Sequence, residues 1–310
     1  MLTLTKIEKV TLFEDKPNVT LTSYIAGTSG EMPFNDKRKA ILVIPGGGYG
    51  FCSDREGEPI AHYYMAHGFN AFVLRYSVHT KETDATWPAP LIDASAAMKY
   101  IRDHAEEFHI DPDYVFVVGF SAGGHLAAAL GTLWSDDEIE KLLGFEKGYN
   151  RPTGMILSYP VISGGEHAHR GSFNNILSER KDDAAAIAEL SLENRVSADT
   201  VPAFIWSTRP DTTVPVQNSL LFALALTEHN IPFEMHIYPK GGHGASLGNA
   251  IVGSGLHSIS GWIDDSIRWM NGITVKTEAE KWVMPTRSRQ LFLRLNNAKR
   301  QGRFEQFPMV

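Results

Sequence analysis

The sequence has little cysteine, no long apolar run and no concentration of positive charge. Its 310 residues include a single cysteine, Cys52, which excludes an intramolecular disulfide and fits a reducing compartment. No run of about 18 apolar residues is present that could span a bilayer. The first residues also lack the apolar segment of a signal peptide. We therefore expect a cytoplasmic protein with no membrane partner.

The charge balance excludes a further class of partners. Lys and Arg number 29 against 36 Asp and Glu, which gives a formal net charge of −7. No stretch inside the predicted domain gathers basic residues as nucleic-acid binding requires, and the most basic segment, 287–303, is interpreted as a solvated tail. No set of His, Asp and Glu has the spacing of metal ligands. We predict no nucleic-acid partner, no metal and no cofactor.

Short apolar runs alternate with helical patterns through the middle of the chain. Residues 40–44 and 114–118 are continuous apolar runs typical of buried strands, whereas 88–108 has apolar residues at helical spacing. Segments 8–14 and 19–25 flank a turn and predict a β-hairpin. The pattern predicts an α/β fold with a mostly parallel central sheet, an N-terminal antiparallel hairpin and helices on both faces.

The length of the chain suits one large domain. We predict a single domain at 1–274, with a small cap-like insertion around 161–200 that contains a short helix at 182–190. Residues 275–310 follow the last expected helix and are predicted to be a C-terminal extension. The sequence assigns no role to this extension.

The most informative motif is Gly119-Phe-Ser-Ala-Gly-Gly-His125, directly after the predicted strand 114–118. An apolar strand that enters G-x-S-x-G and then a helix of small residues is typical of a nucleophile elbow, with Ser121 on a sharp turn. Side chains at 119 and 123 would collide with the turn or the neighbouring strand. The alternative interpretation is a glycine-rich turn with a capping serine.

Two residues further along the chain complete a possible catalytic set. Asp211 follows the predicted strand 203–206, and His243 follows the strand 234–238 in a glycine-rich loop. A serine nucleophile needs a base, and the base needs an orienting acid. We predict Ser121 as nucleophile, Asp211 as acid and His243 as base. The alternatives are a turn aspartate after a proline and a surface or packing histidine.

An oxyanion also needs N–H donors, and the loop Pro45-Gly-Gly-Gly-Tyr-Gly50 after the strand 40–44 can supply them. We predict that the donors are the backbone N–H groups of Gly47, Gly48 and Ala122. A phosphate-binding loop is the alternative, but neither the G-x-x-x-x-G-K-[ST] nor the G-x-G-x-x-G spacing is present.

Further residues near these motifs are assigned by position. Tyr49 beside the glycines, and His167, His169 and Arg170 in the insertion, are candidate substrate contacts, although a solvated loop explains the last three equally well. His125 is interpreted as a structural residue that hydrogen-bonds near the glycine loop. Residues 54–56 are interpreted as a charged cluster at the start of a helix.

Together these motifs resemble the bacterial esterase/lipase branch of α/β-hydrolases, often described as acetyl-xylan-esterase-like or BD-FAE-like. The segments that carry the resemblance are Gly46–Tyr49, Arg55–Glu58, Phe72–Tyr76, Gly119–His125, Tyr159–Val161, Asp211–Pro215 and Gly242–Gly244. The resemblance covers about residues 35–272. It implies hydrolysis of small acyl esters, frequently acetyl groups on xylo-oligosaccharides or other sugars.

The expected activity is therefore that of a serine carboxylesterase that works through an acyl-enzyme. Its expected partner is a small acylated substrate, and an acetylated oligosaccharide is the favoured case. Assembly into a homo-oligomer is left open. A lipase, an arylformamidase or a peptidase would use the same triad. A non-catalytic scaffold of the same fold is the least favoured alternative, because such proteins usually lose a member of the triad.

Overall fold

The protein is built on one eight-stranded sheet, seen in a computed structural model that describes residues 4–31, 37–81, 83, 85–253, 255 and 257–275. The strands are β1 (Lys6–Thr11), β2 (Thr20–Ile25), β3 (Arg38–Ile44), β4 (Asn70–Arg75), β5 (Ile110–Phe120), β6 (Met155–Ser158), β7 (Ala203–Thr208) and β8 (Phe233–Tyr238). The helices are α1 (Glu58–Ala66), α2 (Ala89–Asp103), α3 (Ala122–Thr132), α4 (Asp137–Leu143), α5 (Arg170–Leu177), α6 (Ala184–Glu189), α7 (Gln217–Glu228) and α8 (Trp262–Gly272).

The strand order is β1-β2-β4-β3-β5-β6-β7-β8. Strand β2 pairs antiparallel with both β1 and β4, and every other neighbouring pair is parallel. The predicted fold class is therefore confirmed, including the N-terminal antiparallel hairpin. Because β3, β4 and β5 are parallel, their carboxyl ends lie at one edge of the sheet, where the loops after them meet.

Helices cover both faces of the sheet, so the central strands are buried on both sides. Along β3, Leu42 and Ile44 belong to the core shared with α2, α3 and α7, whereas Ile41 and Val43 belong to the core shared with α1 and α8. This alternation follows from the two-residue period of a strand. Within the described residues, no helix is both long enough and apolar enough to cross a bilayer.

The insertion at 161–200 contains two helices, of which the sequence predicted one. Helix α6 lies within the predicted 182–190, and the Asp183 side chain caps it by accepting from the N–H groups of Ala185 and Ala186. Helix α5 was not predicted. Its N-cap is His169, whose ring nitrogen accepts from the N–H of Ser172, and histidine is not a usual capping signal.

The compact unit that contains all these elements spans Met1–Ile273. The division into a domain at 1–274 and an extension at 275–310 stays a prediction, because residues 276–310 lie outside the described residues. Helix α2 ends at Asp103, earlier than the predicted 108, and β5 begins at Ile110, four residues before the predicted strand.

His125 joins the glycine loop to the insertion from its place in α3. Its Nε2–H donates to the carbonyl of Leu190 at 2.8 Å. In a neutral imidazole Nδ1 is then the acceptor, and it accepts a hydrogen bond from the Tyr49 hydroxyl at 2.7 Å. The predicted structural role near the glycine loop is confirmed. Burial lowers the pKa of the His125 imidazole from 6.5 to about 4.

This buried imidazole makes the stability of the fold depend on pH. Because the folded pKa lies below the unfolded one, the unfolded chain binds the proton first. The free energy of unfolding should therefore fall as pH decreases from 6.5 toward about 4, by up to about 3 kcal/mol on account of His125. Above pH 6.5 this contribution should be constant.

Urea unfolding across this pH range tests the effect in the wild type, in His125→Gln and in His229→Gln, a control at an exposed histidine. The slope of unfolding free energy against pH should flatten in His125→Gln and persist in His229→Gln. An unchanged slope in His125→Gln would contradict the assignment.

Candidate active site

Ser121 sits on a sharp turn between β5 and α3. Its φ of 54° and ψ of −119° lie in a region that side chains rarely adopt, so the surrounding packing must hold the turn. A Cβ at Gly119 would lie 2.1 Å from the carbonyl oxygen of Gly123, and one at Gly123 would lie 2.3 Å from that of Ile44. The predicted collisions at 119 and 123 are therefore confirmed.

Ser121, His243 and Asp211 lie in one hydrogen-bonded chain. The Ser121 Oγ is 2.8 Å from His243 Nε2, and His243 Nδ1 is 2.7 Å from Asp211 Oδ2. A carboxylate accepts, so Nδ1 carries the proton of a neutral His243 and Nε2 presents its lone pair to the serine hydroxyl. The arrangement can therefore move a proton from the serine to the imidazole.

The loops after β7 and β8 hold the acid and the imidazole in place. The second oxygen of Asp211, Oδ1, accepts from the N–H of Thr213 at 2.9 Å and from that of Val214 at 3.0 Å. The Asp211 side chain is 1% exposed and that of His243 is 18% exposed. The acid is thus buried and satisfied, while the imidazole reaches the cavity above Ser121.

The glycine loop after β3 presents backbone donors beside Ser121. Gly47 and Gly48 have φ values of 128° and 63°, which a side chain would strain. The Asn175 amide fixes the loop by donating to the carbonyl of Gly48 at 2.8 Å. Over the part of the chain that the structure describes, no acceptor takes the N–H of Gly47, Gly48 or Ala122. These groups are therefore available to a ligand.

The sequence did not identify the buried carboxylate of Glu56, which is 2% exposed. Its Oε2 accepts from the N–H of Gly46 at 2.9 Å, and its Oε1 accepts from the hydroxyl of Tyr159 at 2.6 Å. Tyr159 in turn accepts from the N–H of Ser246 at 3.0 Å, and its ring packs against His243 with centroids 5.1 Å apart. Glu56 thereby links the glycine loop to the histidine loop.

The chemistry of this network requires a carboxylate. Burial and the neighbouring Glu56 raise the pKa of the Tyr159 phenol well above its ordinary value, so the phenol stays protonated and donates. Both partners of Glu56 are donors, and a carboxylate offers two acceptor oxygens. Residues 54–56 form a short 3₁₀ turn directly before α1, as the interpretation of a charged cluster at a helix start predicts, but that interpretation did not anticipate the buried network of Glu56.

A cavity of about 280 Å³ opens above Ser121. Ser121, His243, Gly47, Gly48 and His169 all line it, as do Arg55 and Thr213 from two of the motif segments, and Phe51 and Asn175, which the sequence did not single out. No local pattern marks Phe51 or Asn175, because their positions depend on how separate loops meet.

Three of the predicted substrate contacts lie away from this cavity. Tyr49 is 1% exposed and packs in the core, where its hydroxyl binds His125. His167 meets the amide of Asn218 through its backbone carbonyl, and the exposed Arg170 reaches the carbonyl of Gly165. Of the four predicted substrate contacts, His169 lines this cavity, whereas Tyr49, His167 and Arg170 do not.

His169 presents a fixed hydrogen-bonding pattern at the cavity wall. Its Nδ1 accepts from the N–H of Ser172, so the neutral ring carries its proton on Nε2. Burial and the nearby His243 lower the pKa of His169, against a smaller opposing effect of Asp211. The ring is therefore a neutral N–H donor near neutral pH. Among the described residues, no three His, Cys, Asp or Glu side chains come together to hold a metal ion.

Comparison with known proteins agrees with this geometry. The BD-FAE family model matches residues 32–226. A protein named endo-1,4-beta-xylanase B from Butyrivibrio fibrisolvens is 40% identical over 69% of this chain and 33% of its own length. A protein named acetylxylan esterase from Xylanibacter ruminicola is 32% identical over 76% of this chain and 49% of its own length. The chain thus spans one third to one half of these two relatives.

The chain is also similar over most of its length to a protein of known structure. The acetyl ester-xyloside bifunctional hydrolase from Caldicellulosiruptor lactoaceticus superposes with a TM-score of 0.74 at 36% identity, covering 86% of this chain and 97% of that one. The fold and these relatives define an α/β-hydrolase of the esterase class. Within that class, the chain belongs to the BD-FAE family.

The Glu56 network gives a testable prediction. In Glu56→Gln the amide offers only one acceptor, so either Gly46 or Tyr159 loses its partner and the glycine loop shifts. We expect kcat on 4-nitrophenyl acetate to fall about tenfold with little change in KM, since the loop N–H groups act on the transition state.

Two further variants make this test specific. Glu58→Gln, at an exposed position two residues away, should behave as the wild type. Tyr159→Phe should also lower kcat. If both residues belong to one network, the double variant should lower kcat by less than the product of the two single-variant fold-changes. A wild-type kcat in Glu56→Gln would show that the carboxylate does not position the loop.

Proposed function

We propose that the protein is a serine carboxylesterase that hydrolyses short acyl esters, chiefly acetyl esters of xylo-oligosaccharides or related sugars. The observation that carries this proposal is the hydrogen-bonded chain from Ser121 Oγ through His243 to Asp211, with distances of 2.8 and 2.7 Å. The N–H groups of Gly47, Gly48 and Ala122, which have no acceptor among the described residues, also support the proposal.

In the acylation step, the Ser121 oxygen attacks the ester carbonyl while His243 Nε2 takes the hydroxyl proton. The carbonyl oxygen becomes an oxyanion, which accepts from the backbone N–H groups of Gly47, Gly48 and Ala122. The imidazolium then gives its proton to the alcohol oxygen as the ester bond breaks. The alcohol leaves and the acyl group stays on Ser121.

In the deacylation step, water replaces the alcohol. His243 takes a proton from the water as its oxygen attacks the acyl carbonyl, and the same N–H groups hold the second oxyanion. The proton then passes to Ser121 Oγ as the acid leaves. Asp211 accepts from Nδ1 of His243, which keeps the imidazole in one tautomer and stabilises its positive charge. The other carboxylate oxygen of Asp211 accepts from two backbone N–H groups, which hold the carboxylate in this orientation.

The size of the cavity favours a short acyl group. A volume of about 280 Å³ lies at the low end for ligand sites, and it must hold the reacting carbonyl as well as the acyl chain. The names of the relatives, an acetylxylan esterase and an acetyl ester-xyloside hydrolase, support acetyl as the acyl group and a xylose-based alcohol.

Removal of the nucleophile tests the mechanism. We expect Ser121→Ala to lower kcat on 4-nitrophenyl acetate about 10⁴-fold or more, because no other group forms the acyl-enzyme. A fluorophosphonate probe should add its mass to the wild type and to the control Ser197→Ala, and not to Ser121→Ala. Labelling of Ser121→Ala at the wild-type rate would place the nucleophile elsewhere.

A series of acyl chains tests the substrate class. The value of kcat/KM on 4-nitrophenyl esters should fall from acetate through butyrate to octanoate, because the small cavity must hold the reacting carbonyl and the adjoining alcohol as well as the acyl chain. Acetylated xylo-oligosaccharides should release acetate, detected by NMR. A preference for octanoate would favour a lipase, and turnover of N-formylkynurenine above that of any ester would favour an arylformamidase.

A further inference from the structure

A second and larger cleft opens on the same edge of the sheet as the cavity above Ser121. Its volume is about 760 Å³. One wall is the hairpin turn between β1 and β2, and the other wall is the segment that follows β4, residues 76–81. Phe51 lines both the cleft and the cavity, so this residue lies where the two are adjacent.

The strand order places the hairpin-turn wall of this cleft at the same edge of the sheet as Ser121. Strand β2 lies three intervals from β5 in the order β2-β4-β3-β5, and Thr20 at the start of β2 pairs with Arg75 at the end of β4. The hairpin turn is therefore at the carboxyl edge, with Ser121. Three intervals of about 4.8 Å give roughly 14 Å between the turn and the serine, the length of a short oligosaccharide.

The two walls are held by a buried carboxylate. Asp93 in α2 has a fully buried side chain, and its Oδ1 is 3.4 Å from the Lys16 Nζ in the hairpin turn. Its Oδ2 accepts from the N–H of Ser77 in the other wall at 2.8 Å. Asp93 thus contacts both walls of the cleft.

The cleft is also tied to the glycine loop. The Tyr76 hydroxyl donates to the carbonyl of Pro45 at 2.9 Å, and the N–H of His79 donates to the carbonyl of Tyr49 at 2.7 Å. A ligand in the cleft would therefore keep a fixed relation to the N–H groups of the loop.

The lining of the cleft suits a sugar chain. The Phe51 ring is 61% exposed, although burial of an aromatic ring is the usual outcome in a folded protein. Polar and charged residues line the cleft together with apolar ones, and the polar set includes Asn18, Ser77, Thr83 and Lys9. A pyranose has one apolar C–H face and a rim of hydroxyls, and a cleft that combines an exposed aromatic residue with polar groups matches both.

We propose that this second cleft binds the glycan part of the substrate, with the Phe51 ring stacking on the sugar unit next to the acylated one. This inference rests on the proposed function. It assigns the small cavity to the acyl group and the larger cleft to the alcohol, so the enzyme should prefer oligosaccharides to single sugars.

The test compares kcat/KM on acetylated xylotetraose with kcat/KM on 4-nitrophenyl acetate for each variant. Phe51→Ala removes the ring, and Asn18→Trp fills the far end of the cleft from the exposed hairpin turn. Each should lower the ratio of the two values about fivefold to tenfold, as expected for the loss of one stacking contact. Phe51→Trp should keep the ratio near that of the wild type.

A matched control and a binding measurement complete the test. Leu142→Ala removes a comparably exposed apolar side chain from α4 and should leave the ratio unchanged. Calorimetric titration with unacetylated xylotetraose should show binding to the wild type and weaker binding to Phe51→Ala. An unchanged ratio and unchanged binding in both Phe51→Ala and Asn18→Trp would overturn the inference.

The same data separate this inference from the proposed function. If the wild type deacetylates xylotetraose but the cleft variants match it, the cleft assignment fails and the esterase assignment stands. If the wild type cleaves 4-nitrophenyl acetate but neither binds nor deacetylates xylotetraose, the sugar substrate fails and the cleft assignment fails with it.

Discussion

The close approach of helix α3 to strand β3 is the constraint on which the rest of the site depends. A Cβ at Gly123 would lie 2.3 Å from the carbonyl oxygens of both Ile44 and Pro45. The helix can therefore begin directly below the turn only because this position has no side chain. Ser121 has its positive φ at this turn, and Ala122, the first residue of α3, follows it directly. The serine and one donor are positioned before any substrate is present.

The buried carboxylate of Glu56 connects the glycine loop to the other loops of the site. An isolated ionised group in the core would be costly, but each oxygen of Glu56 receives a hydrogen bond. Through Gly46 and Tyr159 it joins the loop after β3 to the loop after β6, and Tyr159 continues to Ser246 after β8. Three separate chain segments thus share one network, which connects the glycine loop to the loop that carries His243.

The sequence predicts what local patterns encode. The strand into Ser121, the order of Asp211 and His243 after their strands, and the hairpin all follow from neighbouring residues, and the structure has them. Tyr49 shows the limit of such reasoning. It adjoins the glycines in sequence, but at a φ of 62° its side chain enters the core to reach His125. Glu56 shows the reverse case, because one of its two hydrogen-bond partners, Tyr159, lies 103 residues away along the chain.

The parallel order of the sheet explains why two binding volumes lie side by side. Parallel neighbours bring the loops after β3, β4 and β5 to one edge, and the β1–β2 turn joins them because β2 runs antiparallel to β4. An esterase must hold the acyl group while the alcohol is protonated and leaves. In the proposed mechanism, an alcohol that extends past Phe51 would leave along the wider cleft. The acyl group would stay in the smaller cavity until water arrives.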